Sequence, residues 1–177
     1  SIGALTVVSG RTIGVPKLTR DRLDDLRNVR LEVEIIAARW ATLRCDDAFI
    51  AQLAQCLSRL AAATEAVDIE AYVKANYDFH FTIYRHANSP TLLAIIENLW
   101  LQVSPYLHLL KETGSFRFAG EQHDLIYEGM QKGDPERVCR ALFSDLDEAY
   151  KIIAKMIGSN NNTAYDRGRR YEQSVSI

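Results

Sequence analysis

The sequence predicts an all-α fold, an antiparallel bundle of six or seven helices preceded by a short β-hairpin, and three observations predict it. From Thr19 onward apolar residues recur with the 3.6-residue period of amphipathic helices. Capping and stop signals cut that stretch into separate helices. Alternation of β-branched residues is confined to residues 1–17, where Ala4 to Val8 and Thr12 to Val15 read as two short strands around Ser9-Gly10-Arg11. An isolated hairpin is marginal in water, so this segment is expected to finish a larger unit.

Each helix has its own signals. The first begins at Thr19 and sets Leu23, Leu26, Val33, Ala37 and Trp40 on one stripe. The second follows Asp46 and carries Ile50, Leu53, Leu57 and Leu60. The third follows Asp68 as N-cap and runs to about Ala87, with Tyr72, Asn76, Phe79 and Ile83 on its buried side. At Asn88-Ser89-Pro90 one helix stops and the next starts, with Ser89 as cap and Pro90 in the first turn. Helix four holds Leu93, Ile96, Trp100, Val103 and Leu107. Two glycines and mixed polarity make Glu112 to Gly120 a loop, expected to be the most mobile segment. Helix five, Glu121 to Gln131, ends at Lys132-Gly133. Asp134-Pro135 then opens helix six, which carries Val138, Leu142, Asp145, Ala149, Ile152 and Met156 inward and is expected to stop at Gly158 to Asn162. The expected organisation is 1–17 as hairpin and linker, 18–158 as the helical domain and 159–177 as a polar tail.

Composition narrows the functional classes. The chain has 21 basic and 23 acidic residues and a formal charge of −2, which supplies no bulk attraction to nucleic acid or anionic membrane. The longest uncharged run, Pro90 to Leu110, is interrupted by Glu97, Asn98, Gln102 and Pro105, and the N-terminus lacks the pattern of a signal peptide. A cytoplasmic location without a membrane segment is expected. Cys45, Cys56 and Cys139 are widely spaced and form no CxxC pair, so they read as small apolar groups.

The informative positions are polar residues on apolar stripes, because an unpaired polar group costs about 1–3 kcal/mol to bury. Asp145 is the charged member of the inward stripe of helix six, and His123 sits beside Ile126 and Met130 in helix five. In helix three Asn76 and His80 lie one turn apart on one face. Together they offer two imidazoles, a carboxylate and an amide oxygen, a set able to ligate one divalent transition metal. Nitrogen and oxygen ligands without thiolate suit zinc or nickel first, and also manganese or iron. Core histidines bonded to carbonyls or water are the plainer alternative. Arg30, also on an inward stripe, reads either as an anchor for an anionic ligand or as the i,i+4 partner of Glu34. His86 and His108 fall off the stripes and read as surface or loop-edge residues.

These residues resemble a known family. Asn76-Tyr77-Asp78-Phe79-His80, followed by Ala87-Asn88-Ser89-Pro90 and Leu93, resembles the Asp/Asn-x-x-Phe-His…Gly-Asn-Pro-x-Leu signature of the FadR C-terminal (FCD) domain, the effector-binding module of many GntR-superfamily regulators. Arg30-Leu31-Glu32-Val33-Glu34, His123-Asp124-Leu125-Ile126 and Gly133-Asp134 to Leu146 resemble its first, fifth and last helices, so the likeness covers about residues 18–157 in order. In metal-binding members the ligands are an Asp or Asn and three histidines. The resemblance puts Asn76, His80 and His123 at the first three positions, while Asp145, 22 residues after His123, stands where the family has its last histidine. Basic residues on helix four often help hold acidic effectors in the family, and Leu101-Gln102-Val103-Ser104 does not supply them. The resemblance further implies that the hairpin is the wing of a winged helix-turn-helix domain lying before Ser1, that operator DNA is bound through that domain, and that the regulator is a homodimer.

The resulting expectation is a sensor in which Asn76, His80, His123 and Asp145 hold a metal, a small carboxylate effector binds beside it and pairs with Arg30, and DNA affinity changes in response. Two alternatives stay open at this point. One is a non-haem iron enzyme, since His80, His123 and Asp145 formally make a two-histidine, one-carboxylate triad. The other is a helical interaction module without a site.

Overall fold

The computed structural model describes residues 6–9, 12–14, 18–107 and 120–173. The hairpin is present as β1 (Thr6–Ser9) and β2 (Thr12–Gly14), paired antiparallel with Val7 opposite Ile13. Six helices follow among the described residues: α1 (Arg20–Thr42), α2 (Asp47–Glu65), α3 (Ile69–His86), α4 (Pro90–Leu107), α5 (Gly120–Gln131) and α6 (Pro135–Gln173). The expected mobile loop, apart from Gly120, and His108 lie outside the described residues. No described helix is long and apolar enough to cross a membrane.

The caps form as their residue types dictate. Asp46 accepts from the Phe49 amide at 2.7 Å, Asp68 from Glu70 and Ala71 at 3.1 and 3.0 Å, and Asp134 from Arg137 at 3.0 Å. Asn88 takes a left-handed conformation (φ 55°) after α3, and Ser89 accepts from the Leu92 amide at 3.3 Å to open α4. Gly133 (φ 60°) ends α5, where the Asp134 amide bonds back to the Gly129 carbonyl at 2.9 Å. The turns after α2 and α5 reverse the chain within a few residues, so α2 packs on α3 and α5 on α6, while α1 packs against α3, α4 and α6.

Packing corrects three details of the stripes. Trp40 is 40% exposed and Val33 half-buried, because the inward face of α1 runs instead through Leu23, Leu26, Glu34, Ala37 and Ala41. A charge sits on that face, and hydrophobic periodicity alone steps around it. In α6 the core positions past Leu142 are Leu146, Ile153 and Ile157, while Ala149, Ile152 and Met156 are half-buried. Nor does α6 stop at Gly158: it continues to Gln173. No proline follows Pro135. Glycine and asparagine weaken a helix by up to about 1 kcal/mol each but withhold no backbone donor, so they do not force an end. Cys56 and Cys139 are buried, and burial pushes the half-buried Cys45 thiol up to about 11, as suits small core groups. His86 is half-buried, stacks on Phe49 at 3.8 Å and places Nε2 2.9 Å from the Arg44 carbonyl oxygen, so it ties α3 to the end of α1.

Candidate metal and effector site

Three helices bring the four polar intruders to one place. On α3, Asn76 and His80 are stacked one turn apart; α5 supplies His123 and α6 supplies Asp145. His123 Nε2 lies 3.0 Å from Asn76 Oδ1 and 3.3 Å from His80 Nε2. Asp145 places one oxygen 3.3 Å from His80 Nε2 and the other 3.7 Å from His123 Nε2. Both imidazoles are 1% exposed and the Asp145 side chain 11%. Phe79, one residue before His80, meets both rings edge to face at 5.5 and 5.0 Å and walls the cluster on its apolar side.

The chemistry of this set is one-sided. A carboxylate and an amide oxygen only accept hydrogen bonds, and a neutral imidazole nitrogen aimed at them is either a lone protonated donor or one more acceptor. Four such atoms packed together require a cation or shared protons between them. Ligand atoms bound at about 2.1 Å stand about 3.4 Å apart in a tetrahedron and about 3.0 Å apart at adjacent octahedral corners. Three of the four contacts, at 3.0, 3.3 and 3.3 Å, match these spacings and the fourth, 3.7 Å from Asp145 to His123, is a few tenths of an ångström longer, so the donor set fits one small divalent ion. Burial pushes the Asp145 carboxyl up, but His123 and His80, with Arg30 behind them, outweigh it and hold it below the usual carboxylate range.

Arg30 pairs with Glu34, Nε to Oε1 at 2.5 Å and the second nitrogen to Oε2 at 3.4 Å, with the guanidinium 5.1 Å from the centre of the Trp100 ring. Burial alone would lower its pKa, and the Glu34 charge and hydrogen bond outweigh that and raise it. Sequence reasoning weighed this pair but missed what Glu34 does with its other contacts. Fully buried, Glu34 also accepts from the Tyr84 hydroxyl at 2.5 Å and the Trp100 indole at 3.3 Å, and the Tyr84 oxygen lies 3.4 Å from His80 Nδ1. Burial and then Glu34 push the Tyr84 hydroxyl well up, so it stays a protonated donor. Two i,i+4 ladders, Arg30-Glu34 and Asn76-His80-Tyr84, carried the signal for this network.

Residues 25–148 match the FCD domain family. The chain is 30% identical over 149 residues to the HTH-type transcriptional regulator McbR of Escherichia coli K12, covering 82% of this chain and 67% of that protein. The solved structure of E. coli McbR/YncC superposes with a TM-score of 0.82 at 27% identity, over 88% of this chain and 79% of that one. A GntR-family regulator from Pseudomonas syringae shares the fold, with a TM-score of 0.71 at 17% identity over 91% and 67% of the two chains. These relatives are transcription regulators rather than enzymes, which sets the non-haem iron enzyme reading aside. The chain belongs to the FCD-domain family of GntR-type, FadR-like transcription regulators.

Proposed function

We propose that this domain is the sensor of its regulator: Asn76, His80, His123 and Asp145 hold one divalent transition metal, and a small carboxylate effector binds beside the metal, within the field of Arg30. The observation that carries the reading is the convergence of Asn76 Oδ1, the Nε2 atoms of His80 and His123 and both Asp145 carboxylate oxygens, with contacts of 3.0 to 3.7 Å, in a nearly dry site. Zinc and nickel suit two imidazoles and two oxygens best, with manganese and iron next. The metal would supply Lewis acidity toward a carboxylate. The chain's own residues hold the ligand atoms in place: Phe79 blocks one side, and the Glu34 pair keeps a buried guanidinium near the cluster.

On this reading the hairpin is the wing of an N-terminal winged helix-turn-helix domain, and operator DNA is bound there by a homodimer. The effector acts by binding one arrangement of the regulator better than the other. The test is elemental mass spectrometry of the purified chain before and after chelation, with the melting temperature followed in parallel. About one transition-metal ion per chain is expected, with a melting point that falls on chelation because bound metal stabilises only the folded state. His80→Ala and His123→Ala should lose metal and the metal-dependent stabilisation together. Full metal content in both variants, or no uptake of zinc, nickel or manganese by the native chain, would refute the site and leave a helical module without a metal.

A further inference from the structure

We propose that Glu34 and Tyr84 are positioning residues for His80, fixing its ring so that Nδ1 carries the proton and Nε2 presents a lone pair to the Asn76, His123 and Asp145 cluster. The proposal rests on the metal reading above for its consequence, though not for its geometry.

The Tyr84 hydroxyl has one hydrogen to donate, and the Glu34 carboxylate oxygen 2.5 Å away takes it. What remains on the Tyr84 oxygen is acceptor capacity, facing His80 Nδ1 at 3.4 Å. A neutral imidazole satisfies an acceptor only by donating, so Nδ1 holds a hydrogen, and Nε2 presents its lone pair once a metal replaces the proton it can share with Asp145. Nε2 is the atom that lies 3.3 Å from both His123 Nε2 and Asp145 Oδ2. Glu34 is itself fixed from three helices, by Arg30 on its own helix α1, Tyr84 on α3 and Trp100 on α4. Its carboxylate therefore cannot turn to release the hydroxyl without leaving Arg30 or Trp100. Orientation of a ligating imidazole through its second nitrogen is a general way to tune metal affinity, here routed through a tyrosine to a buried carboxylate.

Tyr84→Phe is the decisive variant because it keeps the ring and removes only the hydroxyl. Two quantities are measured: zinc affinity, by competition with a chelating dye, and the nitrogen-15 shifts of His80 in the metal-free chain. The native chain should show a proton on Nδ1 of His80, and Tyr84→Phe should mix the two tautomers and weaken zinc binding by about tenfold. Glu34→Gln should shift both readouts the same way by less, since an amide oxygen still accepts from Tyr84. Ile83→Val, a packing change on the same helix at a fully buried position, should lower the melting temperature and move neither. An unchanged tautomer with zinc affinity within twofold in Tyr84→Phe overturns the proposal, as does a lowered melting temperature alone. If no variant and not even the native chain binds zinc, the metal reading has failed, and the nitrogen shifts still decide the role of Tyr84.

Discussion

Replacing Gly129 by alanine adds one methyl group where α5 crosses α6. A Cβ at that position would stand 2.7 Å from Val138 Cγ2 and 3.2 Å from the Val138 amide nitrogen. The first contact is closer than carbon atoms tolerate. The second is to backbone, so turning the Val138 side chain relieves only part of the strain. Inserting a methyl into so tight a contact costs about 1–3 kcal/mol. Alanine returns about 0.5–1 kcal/mol through its better helix propensity, which leaves a net loss of about 1 kcal/mol. For a chain of this size that lowers the melting midpoint by about 2–4 °C. Thermal melts followed by circular dichroism read this directly. The double variant with Val138→Ala should be less destabilised than the sum of the two single changes, because the sharper clash disappears with Cγ2. A Gly129→Ala protein as stable as the native one, or additive behaviour in the double variant, would falsify the claim that this glycine sets the approach of α5 to α6. The crossing matters for the site because α5 and α6 carry His123 and Asp145.

Two further outcomes follow from backbone and charge. Val67 ends α2 at φ 56°, a left-handed conformation that a β-branched residue adopts only under strain, and its side chain is 51% exposed. Val67→Gly should therefore stabilise the chain by about 0.5–1 kcal/mol in urea titration, and a loss of stability would show that the valine side chain packs to greater effect than its backbone is strained. Asp147 is held below the usual carboxylate range by the hydrogen bond from Lys151 and by Arg27, against its partial burial. A carboxyl whose pKa is lower folded than unfolded contributes stability above about pH 4 and loses it as the pH falls through the folded value. Asp147→Asn should thus lower the urea midpoint at neutral pH and flatten its decline in acid; an unchanged slope would rule out this contribution.

The helices were legible because their punctuation is chemical. Asp46, Asp68, Ser89 and Asp134 accept backbone hydrogen bonds where their types and positions suggest, and Asn88 and Gly133 take the left-handed turns. The four clustered side chains were legible as polar intruders on apolar stripes, since burial forces such groups to find one another. Glu34 was not seen as a core residue. It is fully buried between half-buried positions, on the face where the stripe was drawn through Val33, and a periodicity argument discards a charge that falls on a buried position. Tyr84 carried even less signal, because a tyrosine on a buried face reads as apolar until the partner of its hydroxyl is known. The run of α6 past Gly158 was misread for a different reason: Gly158 and Asn160 to Asn162 lower propensity, but helix ends are fixed by caps and prolines, and neither intervenes.

The identity of residue 145 bears on what the proposed sensor could accept. Two neutral imidazoles and an amide leave a divalent ion with its full double charge, whereas the Asp145 carboxylate cancels one unit of it. Arg30 adds less to this than a free guanidinium would, since Glu34 balances its charge at 2.5 Å. With such an ion bound, the field an effector meets would be close to a single positive charge in a site that excludes water, where an unbalanced charge is costly. One carboxylate group satisfies that field. A second could be accommodated only by pulling Arg30 away from Glu34, which would leave the buried Glu34 carboxylate without its cation. On the proposed reading, the departure at Asp145 and the pairing of Arg30 would act in the same direction, toward a singly charged effector and a metal held partly by the residues that orient His80.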